Sequence, residues 1–94
     1  MRVRWLRAAL RKLDEEAAHI AAEDPAAAQR IVERILLAVS ALPEHPQIGR
    51  PGRLPGTREL VVSRTPYLIP YRVKDGEIQL LRVFHTARRL ASHW

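Results

Sequence analysis

The sequence predicts an α+β domain, an N-terminal antiparallel helical hairpin packed on a small twisted antiparallel sheet. Three observations predict it. Two stretches with apolar residues at helical spacing are separated only by Asp24-Pro25. From Thr57 onward, three runs read as strands punctuated by turn residues. Between the halves, residues 43–56 hold four prolines and three glycines, a composition that continues neither helix nor strand. Ninety-four residues (1–94) are enough for one domain with one modest core.

Each element has a local reason. Arg2-Val3-Arg4-Trp5 alternates polar and apolar, the pattern of a half-buried strand, with Trp5 at a strand–helix junction. Leu6, Ala9, Leu10, Leu13, Ala17, Ile20 and Ala21 then form one helical stripe, opposite Arg7, Arg11, Asp14 and Glu15. Asp24 can cap the orphan amides of a second helix, and Pro25 suits its first position. That helix is expected to run to about Leu42, burying Ala28, Ile31, Ile35, Val39 and Leu42, flanked by Val32 and Leu36, with Pro43 as its stop. A two-residue break implies a helical hairpin. Neither stripe is satisfied by the other helix alone, so both should lie on a sheet. The strand runs are 57–62, 67–73 and 77–85. Lys74-Asp75-Gly76-Glu77 joins the last two as a tight hairpin, because Asp-Gly tolerates positive φ. Pro70 has no N–H for a ladder, so it should sit at a bulge or turn its nitrogen away from a partner. Tyr67 and Tyr71 share a strand face, which suits a half-buried position better than a base-stacking platform.

Charge divides the chain. Residues 1–44 hold seven Lys/Arg and seven Asp/Glu; residues 45–94 hold nine and three, so the whole excess of +6 lies on the sheet half. Such a field favours an anionic partner, nucleic acid or an acidic protein surface, with solubility as the plain alternative. With no cysteine, disulfides and thiolate metal sites are excluded. His19, His45, His85 and His93 lack ligand spacing, so no metal and no cofactor is expected. The glycine loop lacks the Lys-Ser/Thr of a phosphate-binding loop. The longest apolar stretch, 35–42, is too short to span a bilayer, and acidic residues interrupt any leader-like segment; a cytoplasmic location is expected. One chemistry needs only residues present here, metal-independent RNA cleavage through the substrate's own 2′-hydroxyl. Glu59 or His85 could be the base, and Arg58, Arg64, Arg82, Arg88 and Arg89 could supply cations. The plainer readings weigh more: His85 as a hydrogen-bonded strand end, and Glu59 paired with Arg58 or a cross-strand arginine. Leu68, Leu81 and Val83 fall on the core face or on an open face that a partner covers; parity alone does not decide.

Six segments in order carry a family resemblance: Trp5 with Ala9 and Leu13; Asp24-Pro25-Ala26-Ala27-Ala28; Leu42-Pro43-Glu44-His45-Pro46-Gln47-Ile48-Gly49-Arg50; Gly56-Thr57-Arg58-Glu59-Leu60; Pro66-Tyr67-Leu68-Ile69 with Tyr71-Arg72-Val73; and Ile78 through His85 with Ala87-Arg88-Arg89. Over nearly its whole length the chain resembles the ParE branch of the RelE/ParE bacterial toxins. The resemblance implies the toxin of a type II toxin–antitoxin pair. Such a toxin is neutralised by direct binding of a cognate antitoxin in a hetero-oligomeric complex, and it reaches operon DNA only through that antitoxin. It implies inhibition of DNA gyrase by trapping the enzyme on cleaved DNA, without chemistry of its own. His85, Arg88, Arg89 and Arg58 are the residues expected to serve toxicity, and Leu68, Tyr71, Leu81 and Val83 to meet the antitoxin. The alternative is the other branch of the superfamily, a ribosome-dependent mRNA endoribonuclease using Glu59, Arg82 and His85. A further alternative is a non-toxic binding module of the same fold. Leu68 stands where the nuclease branch commonly places an arginine, and a neutral side chain cannot stabilise a phosphorane. Pro70 and the ending Leu90-Ala91-Ser92-His93-Trp94 depart from the family pattern.

Overall fold

The computed structural model describes residues 1–87, in the order β1 (Arg2–Trp5), α1 (Arg7–Glu23), α2 (Pro25–Ser40), β2 (Arg50–Pro51), β3 (Arg58–Val61), β4 (Tyr67–Lys74), β5 (Glu77–Leu80) and β6 (Phe84–His85). The helical hairpin turns on Asp24. Its N–H donates to the Ile20 carbonyl at 2.9 Å and closes α1, while its Oδ1 accepts the Ala27 N–H at 3.1 Å and opens α2. Pro25 follows at the first helical position, where no amide partner is lost. The helices bury Ala9, Leu13, Ala28, Ile35 and Val39, and Leu42 is fully buried just beyond α2. Leu10 and Leu36, both on the expected stripes, are instead 46% and 48% exposed. Each helix meets the sheet and its neighbour over a narrower arc than its apolar stripe covers.

The sheet order is β1-β5-β4-β3-β2, with β6 also paired to β4. All pairs are antiparallel except β1 with β5, which run parallel from Arg2↔Glu77 to Trp5↔Leu80. The sheet is therefore mixed rather than wholly antiparallel. The chain leaves β1 through the helices and strands β2 to β4 before β5 pairs with it, and a long connection permits parallel neighbours. At the β4–β5 turn, Asp75 (φ 54°) and Gly76 (φ 70°) both adopt the positive φ that a type I′ hairpin needs.

The expected strand 77–85 is broken. Tyr71 faces Leu80 and Leu68 faces Phe84, so Ile69 and Pro70 oppose three residues, Leu81, Arg82 and Val83. One extra residue makes a bulge. The Pro70 carbonyl accepts the Leu81 N–H at 2.9 Å, and the donor that proline lacks would point to the same side, into the bulge. β2 was not expected. It pairs with Arg58 and Glu59 over two residues, too few to show alternation in sequence.

The register sorts the side chains onto two faces. Leu60, Ile69, Tyr71, Ile78 and Leu80 join Leu13, Ile35 and Val39 in the core on the helix side. Trp5 packs against this core, half-buried. Arg4, Glu59, Leu68, Pro70, Arg72, Lys74, Glu77 and Gln79 alternate with them and lie on the opposite face. Among the described residues, no helix is long and apolar enough to cross a membrane.

Candidate functional site

The Gly/Pro segment between α2 and β3 is tied to the sheet by two side chains. Tyr71, fully buried on β4, donates its hydroxyl to the Pro46 carbonyl at 2.8 Å and accepts the Gly49 N–H at 2.9 Å. Arg58 on β3 donates to the Gly49 carbonyl at 2.8 Å and the Gln47 carbonyl at 3.3 Å. Gly49 is required by close approach: a Cβ there would lie 2.7 Å from Tyr71 Cε1 and 2.8 Å from the Glu59 carbonyl oxygen. Arg58 thus positions the loop through its guanidinium.

The face opposite the helices is basic. Arg4 Nε meets Glu77 Oε2 at 3.1 Å, Gln79 Nε2 donates to that same oxygen at 2.9 Å, and Arg72 Nε donates to Gln79 Oε1 at 2.8 Å. This chain of contacts crosses β1, β5 and β4. On the far edge, Arg50 Nε pairs with Glu59 Oε1 at 3.0 Å. A groove of about 480 Å³ on this face is lined by Arg72, Lys74 and Arg82, with Leu54, Pro55 and Leu81 between them.

The expected nuclease residues do not converge. Glu59 sits opposite Pro70, on the open face, and is only 6% exposed; its partner is the cross-strand Arg50. His85 sits opposite Tyr67, on the helix side. Its ring meets the Tyr67 ring edge-on at 5.2 Å, and its Nδ1 accepts the Ala87 N–H at 3.2 Å. The two candidate bases are therefore on opposite sides of the sheet. Arg82 lies in the bulge, with Nη1 donating to the Leu81 carbonyl at 2.8 Å. Tyr67 and Tyr71 are both buried, and the Tyr67 hydroxyl donates to Glu16 Oε1 at 2.9 Å. Glu16 itself, buried on α1 and 3.6 Å from Lys12 Nζ, was not singled out in sequence because its position there reads as one more helix-surface carboxylate. Arg88 and Arg89 lie outside the described residues.

The four apolar positions expected to meet an antitoxin are buried: Leu68 at 3%, Tyr71 at 0%, Leu81 at 7% and Val83 at 2% exposed. As the chain stands they offer no open surface. The exposed apolar side chains lie elsewhere. Leu37 (73%), Ile48 (56%) and Val61 (51%) border a groove of about 440 Å³ between α2 and β3, floored by Ala38, Ala41 and Leu60, with Arg34 and Arg64 also lining it. β2 pairs only with Arg58 and Glu59, so among the described residues Leu60 and Val61 have no strand on the outer side of β3. Leu37 was not singled out in sequence, though its place off the α2 stripe is a signal that could have found it; Val61 gave none, because its face depended on register.

The molecule is thus a helical hairpin on a mixed sheet, with a basic open face and an apolar cleft at one edge. The sequence profile of the "ParE toxin of type II toxin-antitoxin system, parDE" matches residues 3–90. The chain belongs to this family and is a ParE-type toxin of a type II toxin–antitoxin system. It is 52% identical over 84 residues to "Putative toxin Y4kP" of Sinorhizobium fredii, covering 89% of this chain and 86% of that protein. It is 39% identical over 84 residues to "Toxin RelE2" of Caulobacter vibrioides, covering 89% and 93%. Among solved structures, a chain of the "Chromosomal ParDE TA system from P. aeruginosa" superposes with a TM-score of 0.83 at 35% identity, covering 90% of this chain and 95% of that one.

Proposed function

We propose that this toxin inhibits DNA gyrase by holding the enzyme on cleaved DNA, and that a cognate antitoxin neutralises it by direct binding. Family membership supports the gyrase target over the ribosome. The observation that carries the non-enzymatic reading is the separation of Glu59 and His85 onto opposite faces of the sheet. General acid–base cleavage needs both groups within hydrogen-bond reach of one substrate, and a sheet between them prevents it. Leu68 adds a neutral side chain where a cation would be needed.

The α2–β3 groove is the surface we assign to the antitoxin. It offers exposed Leu37, Ile48 and Val61 beside a strand edge that is unpaired among the described residues, with Arg34 and Arg64 along it. An acidic segment that orders on binding matches it: main-chain bonds to β3, apolar side chains in the cleft and carboxylates on the arginines.

The test is a cleavage assay with purified gyrase, supercoiled plasmid, ATP and antitoxin-free protein, stopped with detergent and protease. Accumulation of linear plasmid, abolished by adding antitoxin, is the expected result. The second reading, mRNA cleavage on the ribosome, draws on the 39%-identical relative named RelE2. Codon-specific cuts in translated messages, with no gyrase-dependent DNA breaks, would replace the first reading with the second. The Glu59→Gln protein should keep full toxicity under the gyrase reading and lose it under the nuclease reading.

A further inference from the structure

We propose that the basic groove on the open sheet face binds the phosphate backbone of duplex DNA directly, without the antitoxin. Three observations point there. The cations sit on one face: Arg2 and Arg4 from β1, Arg72 and Lys74 from β4, and Arg82 at the bulge along the same groove. The carboxylates of that face are already committed, Glu77 to Arg4 and Gln79, and Glu59 to Arg50. The described residues lining the groove include no carboxylate, so its field stays positive where a phosphate would approach.

The lining also selects among anions. No aromatic ring lies among the described lining residues, so the groove has no platform for stacking an unpaired base. Its Leu81 is buried and Val73, 46% exposed, is the one large exposed hydrophobic among its described lining residues, a poor anchor for an amphipathic peptide, whereas Leu37, Ile48 and Val61 gather at the α2–β3 groove. A backbone of regularly spaced phosphates fits cations spread over β1, β4 and the bulge, and it carries no sequence preference. The choice of DNA over RNA rests on gyrase being the target.

The experiment is fluorescence-anisotropy titration of the full chain, free of antitoxin and gyrase, against a labelled mixed-sequence DNA duplex at several salt concentrations. With Arg2, Arg72, Lys74 and Arg82 each meeting one phosphate, log K should fall with log salt at a slope of about −3.6. The Lys74→Gln/Arg82→Gln protein should retain a slope of about −1.8 and bind more weakly at every salt concentration. The Arg7→Gln/Arg11→Gln protein removes the same charge from the outer face of α1 and should bind like the unaltered chain. Equal losses in both variants would reduce the effect to net charge and overturn the proposal. So would absence of binding by folded protein at 50 mM salt, or tighter binding to single-stranded RNA than to the duplex. Because gyrase is absent from the titration, binding that survives a failed gyrase-cleavage assay sinks the gyrase reading and leaves the DNA site standing.

Discussion

Removing one oxygen, by Tyr71→Phe, should loosen the segment that joins the two halves of the molecule. The ring stays, so the volume of this fully buried core position is conserved. What disappears is the partner of two backbone groups, the Gly49 N–H at 2.9 Å and the Pro46 carbonyl at 2.8 Å. Gly49 is buried, and an unpaired buried amide costs about 1–3 kcal/mol. Pro46 is half-buried and can recover water, so its carbonyl adds about 1 kcal/mol. The sum is about 2–4 kcal/mol, a large share of the roughly 5–14 kcal/mol expected for a domain of this length. Urea unfolding followed by circular dichroism reads it directly. With m of about 1.2 kcal/mol per M, the midpoint should fall by about 2–3 M with m unchanged. A midpoint within about 0.3 M of the unaltered protein would refute the reasoning, because the hydroxyl would then hold nothing the solvent could not replace.

Four further outcomes follow from the same geometry. Gly49→Ala should destabilise by a comparable amount, since its Cβ meets backbone and a packed ring; a melt unchanged from the parent would show that the loop shifts freely. Asp24→Ala should cost about 1 kcal/mol in the same urea experiment, and Asp24→Asn much less, because the lost contact is a helix cap. Leu37→Asp with Val61→Asp should leave the melt nearly unchanged but weaken antitoxin capture at least tenfold in calorimetry; undiminished affinity would move the antitoxin off the α2–β3 groove. Arg88→Ala with Arg89→Ala should lower gyrase-dependent plasmid cleavage in folded protein, and full cleavage would remove both residues from the mechanism.

Helix positions were legible wherever a side chain acts on its own neighbourhood. Asp24 and Pro25 mark one helix end and the next start through contacts within four residues. Asp75-Gly76 specifies its turn through two φ angles, and Pro70, through the donor it lacks, calls for either a bulge or a nitrogen turned from any partner, of which the structure has the bulge. The bulge's consequence was harder to see. Splitting 77–85 into β5 and β6 depends on which residue of the partner strand faces Pro70.

The candidate site was less legible for the same reason. Glu59 and His85 both look available in sequence, yet strand parity sends them to opposite faces once β3 and β6 are registered against β4. Leu68, Leu81 and Val83 look like a partner surface, yet packing buries them and leaves Leu37, Ile48 and Val61 open instead. The sequence by itself determined the α+β class, the two helices and their hairpin, the tight turn, the excess of positive charge on the second half and the family. Those properties rest on short-range spacing, dihedral preference and composition. Only the tertiary structure decided the parallel β1–β5 pair, the split last strand, the faces of Glu59 and His85, and the groove each charge lines. Each depends on long-range register, where a shift of one residue turns every side chain of a strand to the other face.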